Sequence, residues 1–166
     1  MAEDYSIENA VSQDVPGITA ILNDAIRTTL AIWYEDEKSP AEMQVWFDTK
    51  QQSATPVLVA RDALGVSGFA SFGSFRPWPG YSLTVEHSLY VRHDARGRGI
   101  GKALLRALIA RARQKGLHVM VGGIESGNEA SLKLHTGLGF AEVGRMPEVG
   151  RKSGQWLTLV FMQKTL

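Results

Sequence analysis

No cysteine occurs in the 166 residues. That absence excludes disulfides, thiolate metal sites and a cysteine nucleophile. Any group this chain transfers cannot rest on a thiol of its own. Of the remaining metal-ligating types, the four histidines (His87, His93, His118, His135) show no HExxH or other tight ligand spacing, so no metal is expected. Long apolar runs are missing too: none approaches the ~20 residues of a membrane span, and the start Met1-Ala2-Glu3-Asp4-Tyr5 is acidic, unlike a signal peptide. Nor is there an excess of either charge. With 18 basic and 17 acidic residues the net charge is +1, which gives no global attraction to nucleic acid or anionic membrane. A cytoplasmic protein with neither partner is the expectation. What is present, 44% hydrophobic and 21% charged residues without repeats or low-complexity tracts, suits one globular domain over residues 1–166.

The hydrophobic pattern predicts an α/β fold. Tyr5–Ala10 reads as a strand. Asp14 and Pro16 start a helix whose stripe is Ile18, Ile21, Leu22, Ala25 and Ile26. Ser39-Pro40 starts a second, with Met43, Trp46 and Phe47 on one apolar face. Strands follow at Pro56–Arg61 and Val66–Phe75, then at Leu83–Arg92, where apolar odd positions alternate with polar even ones. Beyond a glycine-rich loop, Ile100, Leu104, Leu108 and Ala112 mark an amphipathic helix ending at Gly116. Leu117–Ile124 reads as a buried strand, Asn128 caps a helix through His135, and Phe140–Gly144 and Trp156–Gln163 are the last strands. The order is βααβββαβαββ.

The loop Arg96-Gly97-Arg98-Gly99-Ile100-Gly101-Lys102 joins a strand to a helix start. Glycines admit a ligand to the backbone, and a helix N-terminus presents unpaired N–H groups with partial positive charge. Such a loop suits a phosphate or diphosphate, with Arg96, Arg98 and Lys102 adding charge; a simple surface turn is the other reading. A P-loop needs Ser or Thr where Ala103 stands, and the dinucleotide fingerprint needs GxGxxG with a later acid that Val119–Gly123 lacks.

The pattern Arg96-x-x-Gly99-x-Gly101 resembles the acetyl-CoA diphosphate loop of the GNAT superfamily of N-acetyltransferases. Asn128-x-x-Ser131-x-x-Leu134-His135-x-x-x-Gly139-Phe140 is similar to that superfamily's closing helix. Asn23-Asp24-Ala25, Ala31-Ile32-Trp33, Thr84-Val85-Glu86-His87-Ser88, His118-Val119-Met120-Val121 and Gly123-Ile124-Glu125-Ser126 resemble its phosphinothricin and methionine sulfoximine/sulfone branch. The resemblance spans nearly the whole chain. It implies the GNAT fold, one mixed sheet whose central strands, here Leu83–Arg92 and Leu117–Ile124, splay apart around the cofactor.

The resemblance also implies roles. Backbone groups of Leu89, Tyr90 and Val91 would align the pantetheine and thioester of acetyl-CoA. Gly97, Arg98, Gly99, Ile100 and Gly101 would hold the diphosphate, and Asn128 and Ser131 would reach the pantetheine arm. Glu86 would take the proton from the acceptor amine; pairing with an arginine is its alternative. His135 stands where many members carry a tyrosine thought to protonate the departing thiolate, with a cofactor contact or helix packing as the alternative. Arg76, opening Arg76-Pro77-Trp78-Pro79-Gly80, would clamp a substrate carboxylate in a bidentate fork; a solvent-facing loop arginine is the bland reading. The family motif before that arginine carries an acid where Ser74 stands here. His87 and Ser88 would border the substrate, though His87 shares its strand face with Leu83, Val85, Leu89 and Val91 and also reads as a core histidine. Trp33, Tyr34 and Phe75 would wall an apolar slot. Val149-Gly150-Arg151-Lys152-Ser153-Gly154-Gln155-Trp156 resembles a family hairpin near the pocket and the dimer contact.

Taken together, the resemblance implies a homodimeric acetyltransferase acting on the α-amine of a small amino acid or analogue by direct attack. Acetylation of another small amine or of a protein N-terminus, and a CoA-binding regulator without catalysis, are the alternatives.

Overall fold

The computed structural model describes residues 4–166, so Met1–Glu3 of the acidic start lie outside the described residues. The elements are β1 (Ser6–Asn9), α1 (Val15–Thr28), α2 (Pro40–Gln52), β2 (Val57–Asp62), β3 (Gly65–Ser74), β4 (Thr84–Val91), α3 (Ile100–Gln114), β5 (Val119–Glu125), α4 (Glu129–Gly137), β6 (Ala141–Lys152) and β7 (Gln155–Thr165). Their order is the one the sequence predicts. Among the described residues the strands form one seven-stranded sheet, ordered β1-β2-β3-β4-β5-β7-β6. Only β4 and β5 run parallel, and α3 makes the crossover that a parallel pair requires.

Local sequence explains the layers. Val57-Leu58-Val59-Ala60 is buried throughout because both faces of β2 are covered. Val57 and Val59 pack with Ile18, Leu22 and Phe47 of α1 and α2. Leu58 and Ala60, pointing the opposite way as strand geometry requires, pack with Leu104, Leu105 and Leu108 of α3. The helical stripe read from residues 100–112 is the buried face of α3. Ser39 begins α2 with a reciprocal cap: its Oγ accepts from the Glu42 N–H at 3.2 Å, and the Glu42 carboxylate accepts from the Ser39 N–H at 2.8 Å.

Several expectations are corrected. Leu83 lies one residue before β4 and is 54% exposed, so the apolar face of that strand begins at Val85. Phe75 does not wall the slot with Trp33; its ring packs edge-on against Tyr81 and Phe161. Trp46 is only partly buried, whereas Met43 and Phe47 are buried; Trp46 and Met43 both border a cavity. The sixth strand runs to Lys152, well past Gly144. It is mostly exposed, carries glycines and Pro147, and shifts register between Met146 and Gly150 with Glu148 at φ +52°, so no alternation marks it.

One feature of the sheet positions the site. β4 and β5 pair only at Thr84↔Val119, Val85↔Met120 and Glu86↔Val121. Past Glu86 the strands part, while β4 stays paired to β3 as far as Val91. The β4 edge from His87 to Val91 therefore faces a wedge at the carboxyl ends of the parallel strands, where open α/β sheets bind ligands.

Candidate active site

The glycine loop closes one end of this wedge. The loop and the residue that follows β4 are both pinned to Asp62 at the end of β2. The Arg92 guanidinium reaches that carboxylate at 3.0 Å and the Arg98 guanidinium at 2.8 Å. Arg92 also donates to the Val66 carbonyl at 2.9 Å. The Arg98 side chain, expected to lend charge to a phosphate, instead pairs with Asp62, and Arg98 is not among the residues that border the cavity beside the loop. Gly97 and Gly99 adopt φ +77° and +82°, the left-handed region that a β-carbon disfavours. Gly99 is the N-cap of α3 and offers no side-chain cap, so the first N–H groups of the helix have no intrahelical partner. They open on a cavity of about 690 Å³ bordered by Gly97, Gly99, Ile100 and Gly101, with Arg96 and Lys102 at its rim. Leu89, Tyr90 and Val91 line it from β4, and Asn128 and Ser131 from α4. The Asn128 side chain is also the cap of α4, accepting from the Ser131 N–H at 3.2 Å.

A second cavity, about 360 Å³, lies where the strands part and holds Glu86, His87, Ser88 and His135. Two consecutive glycines on β5 make it. A β-carbon on Gly123 would fall 2.9 Å from Oε1 of Glu86, and one on Gly122 would fall 2.9 Å from Nε2 of His87. Because successive strand residues face opposite ways, Gly123 leaves room for the carboxylate on one face and Gly122 for the imidazoles on the other. Burial raises the Glu86 pKa above the ordinary carboxylate value, opposed by the positive charge of Arg76.

The imidazoles form a stacked pair, with Nε2 of His135 2.8 Å from Nε2 of His87 and the ring planes 15° apart. Nδ1 of His135 lies 2.7 Å from the Ser131 carbonyl and must donate there. Neutral His135 then accepts at Nε2, His87 donates, and His87 Nδ1 is left as a lone pair with no partner among the described residues. Burial lowers both pKa values, that of His87 to about 3 with a smaller contribution from His135. In this arrangement the N–H of neutral His135 is committed to the Ser131 carbonyl, which favours the packing alternative over the expected proton donor. His87 is half-buried, its ring stacked on His135 and bordering the cavity.

The third cavity, about 590 Å³, is walled by Trp33, Tyr34, Met43, Trp46, Phe69 and Tyr90. Ala31, Tyr90 and Glu125 border all three cavities, which form one continuous cleft from the glycine loop to the aromatic wall. Of the expected substrate residues, Trp33, Glu86, His87 and Ser88 line this cleft. Arg76, Pro77 and Trp78 do not. They are exposed in the loop after β3, where the Arg76 guanidinium stacks 4.3 Å from the Phe75 ring centre and Trp78 leans on Tyr81.

Residues 20–140 match the family model for the Acetyltransferase (GNAT) family. The chain belongs to that family. The GNAT chain is 56% identical to the L-methionine sulfoximine/L-methionine sulfone acetyltransferase of Pseudomonas aeruginosa, over 97% of its own length and 94% of that protein. It is 46% identical to an L-amino acid N-acyltransferase of Escherichia coli, over 97% and 94% of the two chains. Its fold matches the crystal structure of a GNAT superfamily phosphinothricin acetyltransferase from Sinorhizobium meliloti in complex with acetyl-CoA, with a TM-score of 0.94, 37% identity, and 98% and 89% coverage. The mixed sheet with its parted β4 and β5 is the GNAT fold.

Sequence reasoning missed Glu125 as a site residue of this GNAT chain, though its motif was noted. The available signal was positional: it is the last residue of β5, at the carboxyl end of a central parallel strand. Among the described residues no cluster of histidines and carboxylates suits a metal ion, and no helix is long and apolar enough to cross a membrane.

Proposed function

We propose that this chain transfers acetyl from acetyl-CoA to the α-amino group of a small amino acid or analogue. Methionine sulfoximine, methionine sulfone and phosphinothricin are the leading acceptors. The observation that carries the reading is a half-buried carboxylate, Glu86, where the strands part, between a diphosphate-shaped loop and an aromatic-walled cavity.

Acetyl-CoA bound along the cleft supplies an activated thioester. The protein's own groups do the rest. Backbone N–H groups of residues 97–101, at the positive end of α3, hold the diphosphate. The unpaired β4 edge at Leu89–Val91 offers N–H and C=O groups to the amide-bearing arm, with Asn128 and Ser131 opposite. Arg96 and Lys102 add charge at the rim. Glu86 takes the proton that the acceptor ammonium must lose before its nitrogen can attack, and its raised pKa makes it a better base than an exposed carboxylate. As the C–N bond forms and the C–S bond breaks, the nitrogen releases its second proton to solvent, and a thiol of ordinary pKa, about 8.5, departs as its anion without a dedicated acid. Trp33, Tyr34 and Trp46 surround the acceptor side chain, and Ser88 lies between acceptor and thioester. Arg76, close enough to act on Glu86 electrostatically, leaves its stack on Phe75 to grip the acceptor carboxylate when the acceptor binds, with Pro77 and Trp78 stiffening its loop. The enzyme acts as a cytoplasmic homodimer that inactivates toxic amino-acid analogues; the likeness to methionine sulfoximine/sulfone and phosphinothricin acetyltransferases supports this.

Thiol release from acetyl-CoA over a panel of amines tests the reading. Amines bearing a carboxylate turn over, and polyamines and peptide N-termini do not. Arg76→Ala raises KM for the amino-acid acceptors about tenfold, the loss of a charge-assisted hydrogen bond, and leaves KM for acetyl-CoA in place. Binding of CoA with no turnover of any amine would make the chain a CoA-binding regulator instead.

A further inference from the structure

Lys152, at the end of β6, is only 3% exposed. Its ammonium donates to three backbone carbonyls, Ile26 at 2.7 Å, Thr29 at 2.8 Å and Ile32 at 2.7 Å. A lysine has three N–H donors, so all are used. A buried ammonium without such partners is strongly disfavoured, which ties the position of these carbonyls to that of the lysine. Ile26 lies in the last turn of α1, whose carbonyls have no intrahelical partner, and a cation there also meets the negative end of the helix.

Two more contacts join the same hairpin to the same segment. A β-carbon on Gly150 would fall 2.1 Å from Cζ3 of Trp33, so the indole lies directly on the Gly150 backbone. The Ser153 N–H donates to the Glu35 carboxylate at 2.9 Å. The stretch held in this way, residues 29–35, includes Ala31, which borders every part of the cleft, and Trp33 and Tyr34 of the aromatic wall. Thr29, Leu30 and Ala31 also border the cofactor cavity, but no residue of the glycine loop takes part in these contacts, and the two aromatic side chains of the stretch border only the acceptor cavity.

We propose that Lys152 is a positioning residue for acceptor recognition: its ammonium and the bare Gly150 backbone hold residues 29–34 so that Trp33 and Tyr34 shape the acceptor cavity. The proposal rests on the reading of that cavity as the acceptor site. It differs from a purely structural helix cap, because a cap alone would affect stability without separating the two substrates.

The test uses Lys152→Met, which keeps the chain length and removes the donors, and Gly150→Ala, which keeps the lysine and displaces the indole. Each is expected to raise KM for the amino-acid acceptor about tenfold, to leave KM for acetyl-CoA within about twofold, and to speed amide hydrogen exchange over residues 29–34. Lys152→Arg, which retains donors, recovers part of the acceptor KM. Exchange unchanged over residues 29–34, or equal changes in both KM values, overturns the proposal. Gly150→Ala decides the matter if Lys152→Met fails to fold. The exchange measurement needs no substrate, so a wild-type enzyme that acetylates no amino acid would remove the proposed function while the tether is still tested.

Discussion

Glu86→Gln is expected to lower kcat/KM for the acceptor amine by about 10²–10³-fold, within the range that a positioned general base contributes. The amide keeps the shape and the contact with Gly123 but cannot accept a proton. The pH profile provides the sharper test. Glu86 acts only as the carboxylate, so kcat/KM falls as pH drops through its pKa. Burial raises that pKa and Arg76 opposes the rise, which places the limb above the ordinary glutamate value of about 4.3. In Glu86→Gln this limb disappears, leaving only the limb set by the acceptor's own ammonium. In Arg76→Ala it moves to higher pH, because the charge that held it down is gone. A Glu86→Gln enzyme with the wild-type rate and profile would remove the residue from the chemistry.

The second large effect concerns the glycine loop. Changing both Gly97 and Gly99 to alanine is expected to weaken CoA binding about thirtyfold or more. Neither added methyl would clash, since nothing lies within 4 Å of a β-carbon at Gly97 and only the Tyr5 hydroxyl, at 3.7 Å, lies near one at Gly99. The cost is conformational. At φ +77° and +82° an alanine loses about 1–2 kcal/mol relative to its preferred backbone, so the loop either stays strained or turns its N–H groups away from the ligand. Calorimetric titration with CoA reads the effect directly, and unchanged affinity would show that the left-handed turns are not needed to hold the coenzyme.

The positions of Glu86 and of the loop are legible in the sequence because their signals are local, while their roles rest on the family resemblance. Glu86 stands on a strand whose alternation can be counted, and the glycines fall between a strand and a helical stripe. The parts that were not legible depend on contacts between distant segments. Asp62 meets Arg98 across 36 residues, so the role of that arginine as a loop anchor rather than a phosphate ligand was hidden. Lys152 meets Ile26 across 126 residues, and nothing in its own neighbourhood marks it as buried. The tautomers of His87 and His135 depend on a contact across 48 residues, so which ring nitrogen of His135 carries its proton is not legible from its own neighbourhood. β6 was cut short because an exposed, bulged strand leaves no hydrophobic period. Glu125 carries no signal of its own because its place in the cleft comes from where β5 ends, not from its residue type.

The central claim is that backbone amides of residues 97–101 grasp the diphosphate of CoA and lay its arm along the β4 edge. Isothermal titration of the wild-type protein with CoA and with pantetheine, which has the arm but no diphosphate, tests it most directly. The account predicts saturable binding of CoA and binding of pantetheine at least about a hundredfold weaker, the loss of two or more charge-assisted hydrogen bonds. No heat with CoA, or equal affinity for the two compounds, would contradict it.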